Sequence, residues 1–295
     1  MTVTREPVAY QRAVYQELRE VAADFFDGDW HSLVLEPRTN VLVVGASGGG
    51  KTFLSQHLAT ERKLPILSLE YGSWVVCGAS SRGAIHTLRL LYRFVQDHPR
   101  GIIALDEIDK LGVDATSDWT RSVHLEIFSI LDKRVLSGVL EEAVDDEMPK
   151  FLMTGDEIKT RLVRGYLIVG SGAWQHLWRT RAAAGFRQVS DGSALPTYDN
   201  LANCLRPEIL NRFRTQPLFL PPLSRGDYLA LLDEILHRLP HGFRKTMTTA
   251  ALASVEQAVE TQKGFRWVEE LLSVAVRDAR RAKSLLLPDA EEPRL

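Results

Sequence analysis

Apolar residues occur along the chain in short continuous runs, separated by longer stretches in which they recur every three or four positions. Four of the runs are typical of buried strands: 41–44, 64–70, 101–109 and 165–174. The stretches between them predict helices at 52–63, 84–98 and 122–138, the last of them closed by Gly138. Because strands that alternate with helices pair in parallel, we expect an α/β fold with a central parallel sheet covered on both faces.

Helical periodicity also marks the two ends of the chain. Residues 9–26 predict a helix ahead of the first strand, and after the two prolines at 221–222 the apolar positions again keep a helical period. We therefore predict an α/β domain over 1–221, of which 1–40 form a helical lead-in. A small helical domain is predicted over 222–295.

The composition is that of an ordinary globular protein. Of its 295 residues, 45% are hydrophobic and 25% charged, and the formal net charge of −2 gives no global indication of nucleic-acid binding. No apolar run reaches the length of a membrane span, and the N-terminus lacks a signal-peptide pattern, so we expect a cytoplasmic protein without membrane contact. Cys77 and Cys204 lie far apart without metal-type spacing, which favours two reduced thiols. The acid-rich stretch 139–164 predicts no regular element.

A glycine-rich loop, GASGGGKT, follows the first predicted strand. Its Gly45, Gly50, Lys51 and Thr52 fit the pattern G-x-x-x-x-G-K-[ST], in which successive backbone N–H groups curl round a phosphate. Side chains would block this approach, and the following helix points its positive end at the anion. Lys51 would reach the β- and γ-phosphates and the Thr52 hydroxyl would bind Mg²⁺, so we expect ATP and Mg²⁺ as cofactors. A flexible glycine-rich turn is the alternative.

Two adjacent acids end the third predicted strand, in the run IIALDEID. Asp106 is placed to hold the Mg²⁺, directly or through water. Glu107 follows on the other side of the strand tip, where its carboxylate would polarise an attacking water. This pair favours ATP hydrolysis over phosphate transfer to a small molecule, and the alternative is a surface cluster of acids.

The order of these motifs resembles that of AAA+ ATPases over most of the chain. GASGGGKT resembles Walker A, IIALDEID resembles Walker B, and LIVGSGAW resembles the strand with the polar sensor 1 residue, which would make Ser171 orient the attacking water. The resemblance implies a P-loop NTPase fold, with a nucleotide-binding domain over 1–221 and a lid domain over 222–295. It also implies Thr52 and Asp106 on the metal and the following nucleotide contacts: Gly45, Ser47, Gly48, Gly49, Gly50, Lys51, Thr52 and Phe53.

Two further stretches in the resemblance carry arginines. LRPEILNRF resembles the stretch with the arginine finger, so Arg212 would insert into the nucleotide site of a neighbouring subunit; Arg214 is a competitor, and Arg206 would serve the subunit interface. GFRWVEELL resembles the sensor 2 opening of a lid helix, with Arg266 on the γ-phosphate. Because an arginine fork stabilises the negative charge of the transition state, full activity would need a homo-oligomer, which we expect to be a hexameric ring or a helix.

Within AAA+ proteins, the chain most resembles the Clp/HslU branch of protein unfoldases, on the residues DEIDK, SGAW and LRPEILNRF. Those unfoldases grip substrate with an aromatic–aliphatic–glycine pore loop, but the corresponding residues 76–78 lack an aromatic. Trp74 and Tyr71 are candidates for that role, although packing is the favoured interpretation. The Gly-Phe pair at 185–186 falls roughly where some members carry a peptidase-docking loop. We expect no separate N-terminal adaptor domain.

Three classes of function are compatible with these residues. The first is an ATP-driven machine that remodels or translocates a macromolecular client, protein rather than DNA. The second is an ATP-dependent switch or scaffold that assembles on DNA or a partner complex, as small AAA+ proteins similar to helicase loaders or transposition regulators do. The third is a monomeric P-loop kinase or other NTPase, which would need neither Arg212 nor a lid. The basic cluster at 277–284 is interpreted as a solvated helix face, with DNA contact as its alternative.

Overall fold

A computed structural model describes the following residues: 6–30, 37–78, 83–112, 118–141, 151–177, 196–239 and 241–286. The chain forms two compact units. Unit 1 consists of Met1–Pro7, Gln11–Gly45 and Lys51–Pro221, and unit 2 of Val8–Tyr10, Ala46–Gly50 and Pro222–Leu295. Two short segments thus join the C-terminal part of the chain, and the contiguous boundaries expected from the sequence stay a prediction.

A five-stranded sheet forms the centre of unit 1, with every pair of neighbouring strands parallel and the order β2-β3-β4-β1-β5. The strands are β1 Val41–Gly45, β2 Ile66–Glu70, β3 Gly101–Asp106, β4 Tyr166–Gly172 and β5 Leu218–Leu220. In the register, Val43 of β1 lies beside Ser171 of β4, and Leu105 of β3 lies beside Gly170. The predicted parallel α/β fold is confirmed, and the fifth strand was not predicted.

The runs of Val, Ile and Leu become strands because the sheet buries them on both faces. All residues of β1 and β4 are buried, as are those of β3 except its terminal Asp106. In the edge strand β2 only Leu69 is buried, and the other residues are half-buried or exposed. The polar groups of the central strands are therefore confined to the strand ends.

Nine α-helices of the described residues belong to unit 1: α1 Arg12–Asp27, α2 Lys51–Glu61, α3 Tyr71–Gly78, α4 Gly83–Asp97, α5 Asp118–Leu131, α6 Ser137–Glu141, α7 Gly155–Gly165, α8 Tyr198–Ala202 and α9 Pro207–Leu210. Short 3₁₀ turns lie at Ala9–Gln11 and Ile108–Leu111. Helix α7, except for its last residue, falls inside the stretch for which the sequence predicted no element. Its capping box, formed by Thr154 and Glu157, is a signal that the sequence carried.

The end of α5 corrects the expectation that Gly138 closes this helix. The helix ends at Leu131, and Lys133 takes the left-handed conformation there, with φ of 52°. The N–H of Arg134 donates to the carbonyl of Ser129 at 2.8 Å, which is the bond of a Schellman motif. A lysine thus occupies the position that glycine usually takes, and its ammonium donates to the Tyr166 carbonyl at 2.9 Å.

Unit 2 contains three further helices: α10 Arg225–Leu236, α11 His241–Thr261 and α12 Phe265–Leu286. Their core is built round Tyr228 and Trp267, whose rings meet edge to face at 5.2 Å. The Trp267 indole donates to the Ser254 hydroxyl at 2.9 Å, and a capping box at Ser224 and Asp227 starts α10. Among the residues that the structure describes, no helix is both long and apolar enough to cross a membrane.

Candidate active site

Three polar side chains of unit 1 meet at the carboxyl ends of neighbouring strands. Asp106 ends β3, Ser171 is the sixth residue of β4, and Thr52 is the second residue of α2, the helix that follows β1 in the sequence. The Thr52 hydroxyl donates to one oxygen of Asp106, and the Ser171 hydroxyl donates to the other at 2.6 Å. The strand order β3-β4-β1 therefore brings together residues that lie up to 119 positions apart, between Thr52 and Ser171.

Lys51 begins α2 and is buried, with 9% of its surface exposed. Its ammonium donates to the carbonyl of Gly45 at 2.8 Å, so the side chain lies back along its own loop. Gly45 also has a packing reason to be glycine, because a Cβ there would lie 2.7 Å from the Cβ of Leu220 in β5. The neighbouring strand thus excludes a side chain at the point where β1 ends.

The glycines of residues 46–50 belong to unit 2. Gly48 and Gly50 have φ of 75° and 86°, which only glycine adopts without strain. The Gly48 carbonyl accepts the backbone N–H of Phe265 at 2.9 Å, and the Tyr10 hydroxyl donates to the Gly49 carbonyl.

Gly48 and Gly264 approach each other so closely that neither has room for a side chain. A Cβ on Gly48 would lie 2.3 Å from the Lys263 carbonyl oxygen, and a Cβ on Gly264, whose φ is 60°, would lie 2.3 Å from the Gly48 carbonyl oxygen. The start of α12 is therefore fixed against the backbone of the loop within unit 2. Ser47 of the same loop is half-buried.

Glu107 has φ of 60°, a rare conformation for a residue with a side chain. Its backbone N–H donates to Asp106 Oδ1 at 2.8 Å, and its carboxylate contacts the Lys110 ammonium at 2.5 Å. That hydrogen bond is the main cause that raises the pKa of Lys110 above its ordinary value. The carboxylates of the two acids thus have separate partners: that of Asp106 accepts the Thr52 and Ser171 hydroxyls, and that of Glu107 contacts Lys110.

The oxygens around Asp106 fit Mg²⁺. A carboxylate and hydroxyls are hard ligands, and Mg²⁺ in phosphate sites takes only one or two protein carboxylates besides phosphate oxygens and water. Thr52 and Asp106 would hold the ion, since their oxygens already meet each other. The conformation of the glycine-rich loop is equally compatible with a phosphate, because positive φ angles such as those of Gly48 and Gly50 occur where successive backbone N–H groups form an anion-binding concavity.

Two other predicted contacts lie on the starts of helices. Phe53 follows Thr52 in α2, where its half-buried ring stacks on His57 with the centroids 5.5 Å apart. Arg266, the predicted sensor 2 residue, is the second residue of α12 and is exposed. Their roles stay predictions.

Arg212, the predicted arginine finger, has an ion-pair partner in its own chain. Its Nε donates to Asp132 Oδ1 at 2.6 Å and its Nη2 to Asp132 Oδ2 at 2.9 Å. Arg214, the other candidate for the arginine finger, donates its backbone N–H to the Asn40 carbonyl at 2.9 Å. Arg206, expected at the subunit interface, contacts His124 Nδ1 at 3.3 Å. Sequence reasoning had no signal for Asp132, because it lies 80 positions from Arg212.

Trp74, a candidate for gripping substrate, is buried in the core of unit 1, with 3% of its surface exposed. Its indole N–H donates to Glu126 of α5 at 3.1 Å. Burial raises the pKa of Glu126 from 4.5 to about 8, although the indole bond acts in the opposite direction. These contacts agree with the packing interpretation, which also suits the half-buried Tyr71 beside the same core.

Some expectations fall outside the described residues. They are the Gly-Phe pair at 185–186, the side chains of residues 76–78 and most of the acidic run 141–147. Conversely, Tyr10 and Gly264 contact the phosphate-binding loop and were not predicted as site residues. Gly264 carried a signal, since a glycine between two helical runs marks a turn and can take a positive φ without strain.

A parallel sheet whose first strand leads through a glycine loop into a helix beginning Lys-Thr, with an acid at the end of a nearby strand, defines the P-loop NTPase class. Residues 41–148 match the model of the ATPase family associated with various cellular activities (AAA).

Curated proteins similar to the chain agree with this match. The mitochondrial ATP-dependent clpX-like chaperone of Saccharomyces cerevisiae is 40% identical over 93 residues, which cover 30% of this chain and 18% of the relative. The ATP-dependent Clp protease ATP-binding subunit ClpX of Borrelia duttonii is 25% identical over 233 residues, covering 75% and 53%. The ATP-dependent zinc metalloprotease FtsH of Syntrophobacter fumaroxidans is 33% identical over 113 residues, covering 38% and 17%.

These findings confirm the resemblance of the chain to AAA+ ATPases of the Clp-type branch. It spans at most about half the length of these three curated relatives, reaching 53% for the Borrelia duttonii protein.

Proposed function

We propose that this protein binds ATP with Mg²⁺ and hydrolyses it to ADP and phosphate. The observation that carries the proposal is the meeting of Thr52, Asp106 and Ser171 at the strand ends, where both oxygens of Asp106 accept a hydroxyl. The match of residues 41–148 supports the same proposal, since the matched family is one of ATPases.

Each residue of this cluster has a distinct task in the proposal. Lys51 binds the β- and γ-phosphates, and Thr52 and Asp106 hold the Mg²⁺, which neutralises charge on the phosphates when it is bound. Glu107 accepts a proton from the attacking water at its carboxylate, and Ser171 orients that water. The contact between Glu107 and Lys110 has to open for this task, and since both side chains are partly exposed the contact is weak.

Arginines supply the remaining charge in the proposal. Arg266 contacts the γ-phosphate from its own chain, and Arg212 reaches the nucleotide of a neighbouring copy. The protein then works as a homo-oligomer, a hexameric ring or a helix, because no copy completes its site alone. A guanidinium fork suits this task because its planar donors match phosphate oxygens.

The client in the proposal is a protein, which the oligomer remodels or translocates. Two of the relatives are named as a clpX-like chaperone and as an ATP-binding subunit of Clp protease. One observation favours a second candidate, an ATP-dependent switch or scaffold on DNA or a partner complex: Trp74 is buried, which removes an aromatic candidate for gripping a substrate. A client protein that stimulates ATP turnover supports the first function, and DNA binding with a steep salt dependence supports the second.

Substitution of Glu107 tests the reaction. Glu107→Gln is expected to retain ATP binding and to lower turnover by about 100-fold or more, because the amide cannot take the proton. Turnover is measured as phosphate release, and the oligomer is sized with ATP. The matched control Glu17→Gln removes an exposed carboxylate from α1 and is expected to behave as the wild type. Unchanged turnover in Glu107→Gln would remove this residue from the mechanism.

A further inference from the structure

We infer that Asp132 is the positioning residue for Arg212: its carboxylate fixes the guanidinium in the orientation that serves the nucleotide of a neighbouring copy. This inference rests on the proposed function. The pair is bidentate, with Nε on one carboxylate oxygen at 2.6 Å and Nη2 on the other at 2.9 Å. Two parallel bonds to a carboxylate define the plane of the guanidinium and its direction, which a single bond does not.

Two more contacts hold the same guanidinium. Its Nη1 donates to the carbonyl of Glu208, one turn earlier in α9, and its central carbon lies 4.6 Å from the centre of the Phe128 ring in α5. The guanidinium is thus held along its edges by oxygens and on one face by an aromatic ring. An arginine with these contacts loses little further side-chain freedom when it binds an anion.

The backbones that carry the pair are also tied together. The Asn40 amide donates both to the Leu131 carbonyl and to the Arg212 carbonyl, each at 2.9 Å. Asn40 immediately precedes β1 and is buried, with 6% of its surface exposed. Asn40 therefore fixes the end of α5 and the residues after α9 relative to β1, the strand that precedes the glycine-rich loop.

Part of the guanidinium stays available to a ligand. Of its five N–H groups, three have the partners named above, so Nη1 and Nη2 each keep one. The Arg212 side chain is 28% exposed and borders an open cavity of about 290 Å³, which Arg38 and Lys133 also line. A phosphate group of a neighbouring copy's nucleotide suits this position, because it is an anion that accepts paired N–H donors.

The test compares Asp132→Asn with the wild type and with Arg212→Ala. Asp132→Asn is expected to lower kcat about tenfold with an unchanged affinity for ATP, since the phosphate-binding residues of its own copy are intact. The control Glu256→Gln breaks the exposed ion pair with Arg225 and is expected to leave kcat and affinity unchanged. Thermal unfolding of each variant shows whether the fold is retained.

The double variant separates positioning from a merely structural role. If Asp132 acts through Arg212, adding Asp132→Asn to Arg212→Ala lowers kcat no further. Phe128→Leu removes the ring against the guanidinium and leaves the carboxylate in place. It is expected to lower kcat less than Asp132→Asn does, and to have no effect on kcat when Arg212 is already replaced by alanine. This second variant keeps the inference testable if Asp132→Asn does not fold. Independent, multiplying losses would overturn the inference.

Mixed oligomers show in which copy the carboxylate acts. Copies with Asp132→Asn keep an intact nucleotide site, and copies with Glu107→Gln keep Asp132 and Arg212, so the mixture is expected to regain turnover. If Asp132 served its own site, no turnover would return, and the inference would be overturned. A wild-type kcat in Arg212→Ala would overturn the proposed role of Arg212 together with the inference. A reduced kcat in Arg212→Ala beside a normal kcat in Asp132→Asn would overturn the inference alone.

Discussion

The carboxylate of Asp106 and the guanidinium of Arg212 are both held from several sides, but by different kinds of partner. Asp106 accepts hydrogen bonds from the hydroxyls of Thr52 and Ser171. Because these partners are neutral, they can give up the hydrogen bond and leave a carboxylate oxygen of Asp106 to a metal ion. Arg212 is held by a charged partner, the carboxylate of Asp132. This ion pair fixes the orientation of the guanidinium and restricts its motion. Asp106 can therefore exchange a hydroxyl partner for a metal ion. Arg212 instead presents its N–H donors in a fixed orientation.

The two regions also differ in what positions them. Asp106 and Ser171 belong to adjacent strands of a parallel sheet, so their distance is set by the register of β3 and β4. Asp132 and Arg212 follow helices at the flank of the sheet, and they are joined by hydrogen bonds between their side chains and not by a strand register. Substitutions in the two regions are expected to differ accordingly: loss of chemistry at the strand ends, loss of orientation at the flank.

The largest effect is expected from Asp106→Asn. The amide weakens the metal site and lowers kcat by about 100-fold or more, because a bound metal ion contributes several kcal/mol of charge stabilisation. Phosphate release at increasing Mg²⁺ concentration measures this effect. Asp109→Asn is the matched control, since this acid of the same motif lies near the Trp174 backbone N–H at 3.4 Å. Equal losses in both variants would mean that the strand-end cluster has no special role.

A smaller effect is expected from Gly264→Ala, which asks whether backbone contacts alone set the shape of the phosphate-binding loop. The new Cβ would lie 2.3 Å from the Gly48 carbonyl oxygen, and φ of 60° disfavours alanine, so the loop has to move. We expect ATP affinity to fall about tenfold, which corresponds to about 1.4 kcal/mol. Titration with a fluorescent ATP analogue measures it. Gly226→Ala in α10, where the nearest atom to the new Cβ is 3.6 Å away, should bind normally.

The smallest effect on ATP turnover is expected from Glu126→Gln in α5, the helix that precedes Asp132, because this substitution acts on stability. Because the folded-state pKa of Glu126, about 8, lies above its ordinary 4.5, the folded protein holds a proton that the unfolded chain releases. Stability is then fully present below pH 4.5 and is lost as the pH rises to about 8, by up to about 1.4 kcal/mol per pH unit.

Denaturant unfolding at several pH values measures this slope. Glu126→Gln is expected to abolish it and to be more stable than the wild type at pH 8, because its amide is neutral and still accepts the Trp74 indole bond. An exposed carboxylate provides the control, as in Glu17→Gln, which should keep the wild-type slope. A slope that persists in Glu126→Gln would assign the pH dependence to other groups.

The sheet and the candidate residues at its edge were largely predictable from the sequence. Continuous runs of Val, Ile and Leu specify strands, and the glycine loop and the acids lie directly after such runs, so the sheet and the candidate residues at its edge were predictable. The three-residue strand β5 was too short for its apolar pattern to be distinguished. The end of α5 was mispredicted because Lys133, and not a glycine, takes the left-handed position.

Contacts between distant side chains have no comparable signal. The bond between Asp132 and Arg212, like that between Trp74 and Glu126, depends on how helices flank the sheet, and neither pair has a sequence spacing that predicts it. The aromatic character of Trp74 permitted both a surface role and a packed one, and only its burial distinguishes them.

Titration of the protein with ATP and Mg²⁺ tests the central claim most directly. Binding and phosphate release are measured for the wild type, for Lys51→Ala and for Lys159→Ala, which removes an exposed lysine from α7 as the control. We predict that Lys51→Ala lowers ATP affinity by about 100-fold and abolishes turnover, because it removes charged hydrogen bonds to the phosphates, while Lys159→Ala behaves as the wild type. Wild-type ATP affinity in Lys51→Ala would contradict the account.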